Sequence, residues 1–193
     1  MRSGVKAMQM SHNSTLHAGV IMKRLRFVIF ACLGLLAAPA SSQDVKDMSN
    51  AQIVAAAPDL HPAALYVLAS RLLAEGKGQE AANWMYAGQL RYRILLATGQ
   101  IGGREGRPLF DALTEQVGRP VNEYIAGDVD EWIAAMNFAL EWDAAEPNPR
   151  VDVSKHRATV DEVRGGLERL RDSLDGRRDE IAREREKNGL ENR

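Results

Sequence analysis

Apolar residues recur at spacings of three and four through most of residues 62–187, and no stretch alternates apolar with polar long enough to make a strand. That regularity restricts the chain to an all-α fold. Leu65, Leu68, Ala69, Leu72 and Leu73 form the first stripe, opened by His61-Pro62 and stopped by Gly76 and Gly78. A second helix follows from about Gln79 to Thr98, with Gly99 as its stop. It is apolar on more than one side (Ala81, Trp84, Met85, Tyr86, Leu90, Ile94), so it has to lie between neighbours.

Upstream, Ser49 can cap a short helix through Ala57, which Pro58 ends. Downstream, Pro108 starts a short helix to about Val117, and Gly118-Arg119-Pro120 restarts the chain into another through Ile125. Asp128 and Glu131 have capping-box spacing before a helix over 129–145. Its apolar residues, among them Trp132, Met136, Phe138 and Leu140, again face two ways. Pro147-Asn148-Pro149 is a hard break. Ser154 can then cap one long helix over 155–187. Its stripe of Val160, Val163, Leu167, Leu170, Leu174 and Ile181 is interrupted by Arg177 and surrounded by charge. One apolar stripe predicts a solvated helix lying along the domain. The expected fold is a compact all-α domain built on an antiparallel hairpin, with a long charged C-terminal helix.

The hairpin over 62–98 resembles one tetratricopeptide or Sel1-like repeat. The resemblance rests on Leu65-x-x-Leu68-Ala69-x-x-Leu72, the turn at Gly76, then Ala81-x-x-x-Met85 and Gly88. Leu65, Leu72 and Met85 stand where that family has aromatic residues, and its terminal proline is missing. The resemblance implies close packing of the two helices at Ala69, Ala81 and Gly88, and a role in binding other proteins. A single hairpin does not make a solenoid, so the helices of 108–145 are expected to complete it. The run Ala81–Arg93 and the closing Gly189–Arg193 are also similar to a group of uncharacterised exported bacterial proteins, which implies no particular activity.

Export is legible in the residues themselves. Lys23, Arg24 and Arg26 precede an uncharged run from Phe27 to Ala38, and Ala38-Pro39-Ala40 offers a cleavage site. The run is too short to span a bilayer, for which roughly 20 apolar residues are needed. Residues 22–40 therefore read as a signal peptide cut after Ala40, leaving no stable membrane span. Residues 1–21 read as a non-native start or a disordered leader ahead of Met22. The remainder divides into an N-terminal segment (41–60), a helical domain (61–146), and a linker with the long C-terminal helix (147–193). Cys32, the single cysteine, lies inside the signal, so the mature protein has neither disulfides nor thiol chemistry.

Cleavage also changes the charge. Five of the 25 Lys and Arg precede residue 41 and none of the 26 Asp and Glu do, leaving 20 against 26 and a net charge of −6. Nucleic acid is not an expected partner of so acidic a chain. His61 and His156 are far apart and no cysteine pair survives, so no metal or other cofactor is expected. The glycines around Gly102 follow no strand and precede no Lys-Ser or Lys-Thr, which excludes a P-loop. Nothing has the spacing of a nucleophile elbow.

Two candidate sites remain. Tyr86, Gln89 and Arg93 stand at three and four spacing on one helix and could form a partner-binding face, since Tyr and Arg are favoured interface anchors. In Arg91-Tyr92-Arg93 the two arginines point about 200° apart around a helix, so one is expected in an ion pair within the bundle and the other in solvent. The alternative site is hydrolytic, with carboxylates of the 128–143 segment (Asp128, Asp130, Glu131, Glu141, Asp143) converging in a cleft. The first reading makes the chain an exported periplasmic, non-catalytic module that binds a protein or envelope component. The second makes it an envelope hydrolase.

Overall fold

A computed structural model describes residues 44–146 and 148–193. The expected leader, signal peptide and cleavage site lie outside the described residues, as does Pro147. The order of helices is α1 (Asn50–Ala56), α2 (Ala63–Ala74), α3 (Gly78–Ala97), α4 (Arg107–Leu113), α5 (Arg119–Ile125), α6 (Val129–Ala145), α7 (Val153–Asp175) and α8 (Arg178–Lys187). There is no strand among the described residues, and the fold is all-α as the periodicity requires.

Helix α3 is the axis of the fold. It packs against α2, α5, α6 and α7, which is what its apolar residues on several sides demand. Ala81, Ala82, Met85, Ala87, Leu90, Tyr92, Ile94 and Leu95 are all buried along it. The turn into α3 is short because Gly76 takes φ +76°, a left-handed conformation that satisfies the last carbonyls of α2. Antiparallel packing of α2 and α3 follows. A Cβ placed on Gly88, in the middle of α3, would lie 3.0 Å from Leu65 Cβ and 3.2 Å from the Pro62 carbonyl, at the start of α2. Ala69 and Ala81 are fully buried in the same unit. The expected close approach of the two helices is therefore present at Gly88.

The caps explain where the helices begin. Ser49 and Gln52 form a reciprocal capping box on α1. Asp128 accepts from the backbone N–H of Asp130 and Glu131 at the start of α6. At α2 the His61 imidazole serves, its Nδ1 accepting from Ala63 N–H at 3.2 Å. That hydrogen bond puts the ring proton on Nε2, which is enclosed with no acceptor among the described residues. The ring stands edge-on to Tyr92 at 5.3 Å. Burial and the charge of Arg150 hold the His61 pKa below its usual value, against a weaker opposite pull from Glu105. The neutral ring is thus favoured in the folded state. Its contribution to stability is complete above the ordinary histidine pKa of about 6.5 and is lost as pH falls through the lowered folded value. The thermal midpoint is expected to drop between pH 7 and pH 5, and His61→Asn to remove part of that drop. Identical pH profiles for the two proteins would refute the role of this ring.

Two expectations about helix limits are corrected. Gly118-Arg119-Pro120 does not restart the chain. The backbone stays helical from Arg107 to Ile125, passing through a π-helical turn at Thr114–Gly118. Pro120 lacks an N–H and its ring would crowd the carbonyl four residues back; widening the turn by one residue removes that conflict. The long C-terminal helix is also not continuous. It is capped by Asp152, whose Oδ1 accepts from the N–H of Ser154 and of Lys155, and Ser154 lies inside the helix. It then ends at Asp175, where Gly176 and the non-helical Arg177 (φ −118°, ψ 10°) separate α7 from α8. A glycine costs about 1 kcal/mol in a helix interior. With charged Arg177 in the place of the next apolar contact, nothing offsets that cost.

The N-terminal and C-terminal helices of the described residues pack on the central ones. Helix α7 lies along α3 and α6 by Val160, Leu167 and Leu174, which are buried, while Leu170 stays exposed. No helix among the described residues is long and apolar enough to cross a membrane.

Candidate functional site: an arginine-rimmed cleft

A buried polar network holds α7 in place and so forms one wall of the site. Asp143 of α6 receives Arg91 Nε of α3 at 3.0 Å and Arg164 of α7 at 2.6 Å. Its side chain is 2% exposed and that of Arg91 4%. Arg91 also donates to the carbonyls of Pro58 and Glu146, and its guanidinium lies 4.0 Å from the centre of the Trp142 ring. The expected division of Arg91-Tyr92-Arg93 is found: Arg91 is paired inside the bundle and Arg93 is exposed.

Next to this network, the C-terminal half of α3, the start of α4 and the middle of α7 line an open cleft of about 650 Å³. Its apolar lining includes Leu96, Phe110 and Val163. Three arginines line it, one from each helix: Arg93, Arg107 and Arg169. Arg93 and Arg107 flank the Phe110 ring, with their guanidinium carbons 6.0 and 5.8 Å from its centre. Arg107 is paired with Asp111 at 2.9 Å, whereas Arg93 and Arg169 pair with no carboxylate among the described residues. Arg169 lies back over its own helix. A Cβ on Gly165 would come within 3.1 Å of one guanidinium nitrogen, and a Cβ on Gly166 within 3.8 Å of the other. The glycine pair that weakens α7 by propensity thus also makes room for this side chain.

The residues expected to form a binding face are not brought together on the surface. Tyr86 is 3% exposed and Gln89 9%. Tyr86 is covered by α5 and α6, its hydroxyl donating to Asn122 Oδ1 at 2.8 Å and accepting from Trp132 Nε1. Burial pushes its pKa up to about 12. Gln89 lies beside Tyr66 of α2. Only Arg93 of the three is accessible, and it belongs to the cleft. Helix α3 has neighbours almost all round, which leaves Tyr86 and Gln89 no open side.

The carboxylates of residues 128–143 do not converge either. Asp128 is a cap, Asp130 pairs with Arg178 at 2.6 Å, Glu131 pairs with Arg193, Glu141 is exposed, and Asp143 is enclosed between two arginines. The hydrogen bond from Arg178 lowers the Asp130 pKa, the reverse of what a general acid needs. The hydrolytic expectation loses the geometry it requires. Arg107 and Arg169 were missed because the cleft is assembled from three distant segments.

Fold and site together define an all-α protein with a positively charged cleft beside its central helix. No known protein family, no curated protein and no solved structure matches the chain.

Proposed function

We propose that this chain is an exported, non-catalytic helical binding module that holds a protein or other envelope component in the cleft between α3, α4 and α7. One observation carries the reading: three arginines from three helices surround an apolar floor, in a mature chain whose net charge is −6. An apolar cleft of a few hundred Å³ with a small number of placed polar groups is the usual form of a binding site. The guanidiniums give it selectivity for oxyanions. The repeat-like hairpin supports the same class of function, with α3 as the rigid element that carries Arg93. Export rests on the signal at residues 22–40, and the mature chain is expected to begin at Ser41. N-terminal sequencing of periplasmic material tests this; membrane-bound protein that retains Met22 would refute it.

The cleft itself is tested with Gly166→Leu. A Cβ at this position meets only Arg169 at 3.8 Å, so there is room for the backbone to keep its place while the leucine fills the cleft. Leucine is also the better helix former. Immobilised wild-type protein is expected to retain a component of an envelope extract that the variant does not. The same retained set on both would remove the cleft from the function.

A further inference from the structure

Charge balance around the cleft restricts what can occupy it. Arg93, Arg107 and Arg169 stand against Glu162, which also lines the cleft, and against the Asp111 that pairs with Arg107. One positive charge is left over. A dianion such as a phosphate monoester would exceed that surplus and lie near Glu162, whereas a monoanion matches it. The volume of about 650 Å³ falls within the size range of pockets for small molecules. Phe110, Leu96 and Val163 offer an apolar floor to the body of such a molecule, and Arg93 and Arg169 offer donors with no carboxylate of the described residues to occupy them.

We infer that the cleft takes a small monocarboxylate with an apolar body, its carboxylate held by Arg93 and Arg169 and its body against Phe110, Leu96 and Val163. The inference rests on the reading of the cleft as the binding site and names its ligand class. A carboxylate matches the two-donor fork of a guanidinium. Both arginines are exposed, so binding draws little on the packing of the core.

Octanoate is the probe, with 1-octanol as its neutral counterpart, octylamine as the cation and octyl phosphate as the dianion. Backbone amide NMR shifts at Leu96, Val163 and Gly166 are the readout. Octanoate is expected to shift these residues saturably. Octanol should bind at least about tenfold more weakly, the loss of one charge-assisted hydrogen bond, and octylamine more weakly still. Arg93→Gln combined with Arg169→Gln should raise the Kd for octanoate at least about tenfold. These two residues are exposed, so the variant is expected to keep the wild-type amide spectrum elsewhere. Octanol binding as tightly as octanoate, or a Kd unchanged in the double variant, would overturn the inference. Octyl phosphate binding more tightly than octanoate would overturn the choice of a monoanion. Should octanoate leave the cleft unshifted while Gly166→Leu still abolishes retention of an envelope component, the ligand class is wrong and the binding module stands. If Gly166→Leu changes nothing as well, both readings fall.

Discussion

Asp143→Ala is expected to lower the stability of the protein by about 3–5 kcal/mol, measured by urea unfolding. The carboxylate serves Arg91 and Arg164 at once, and the Arg91 side chain is only 4% exposed. Removing it leaves one buried guanidinium with two carbonyl acceptors and no counter-charge. Against a total stability of roughly 5–15 kcal/mol that is a large fraction. The loss comes from stranding a charge and does not measure the worth of the pair. Replacing both members, as Arg91→Met with Asp143→Leu, should therefore cost less than Asp143→Ala alone. A cost below about 1 kcal/mol for Asp143→Ala would mean that water reaches Arg91 and that the network does not hold α7. The same variant should weaken binding, because Arg164 donates to both the carboxylate and the carbonyl of Asp143 and so fixes the α7 wall of the cleft.

Gly88→Leu is the second large effect. The position is buried between α3 and α2, and the atoms a side chain would meet are Leu65 Cβ at 3.0 Å and a backbone carbonyl at 3.2 Å. Neither can swing aside as the end of a flexible side chain could. Overpacking such a contact costs about 1–3 kcal/mol, and the rigidity of these neighbours puts leucine at the upper end. Gly88→Ala sets about 1 kcal/mol of helix propensity against a milder version of the same crowding, and a small net loss is expected. Ala69→Leu, fully buried on the facing helix, should behave like Gly88→Leu, whereas Ala158→Leu on the exposed side of α7 should change little. A net gain at Gly88 with a tolerated leucine at 69 would mean that the two helices are not pressed together.

The parts of the fold that were legible are those written in local chemistry. The stripe of α2, the all-round apolar surface of α3, the Asp128 cap and the glycine stops at 76 and 99 each involve residues a few positions apart. They gave α2, α3 and α6 nearly to the residue. The π turn was illegible because Gly118 and Pro120 are ordinary punctuation, and only the continuity of helical φ/ψ through them shows otherwise. The break at Gly176 is hidden in the sequence by the apolar seam that continues on either side of it. For the site, the sequence places one arginine of Arg91-Tyr92-Arg93 in an ion pair but says neither which one nor its partner, since Asp143 lies 52 residues from Arg91. Arg93 is exposed and lines the cleft, away from the buried Tyr86 and Gln89. Its companions there, Arg107 and Arg169, join it only through tertiary packing, and helical spacing contains no information about that.

The central claim is that the cleft between α3, α4 and α7 is where this protein binds. Amide chemical shifts of the protein, mapped as the component retained from an envelope extract is added, test it most directly. The account predicts that the shifts centre on Leu96, Phe110, Val163 and Gly166 and vanish in Gly166→Leu. Shifts that instead centre on α1 and the Trp84 side of α3, with Gly166 unmoved, would contradict it.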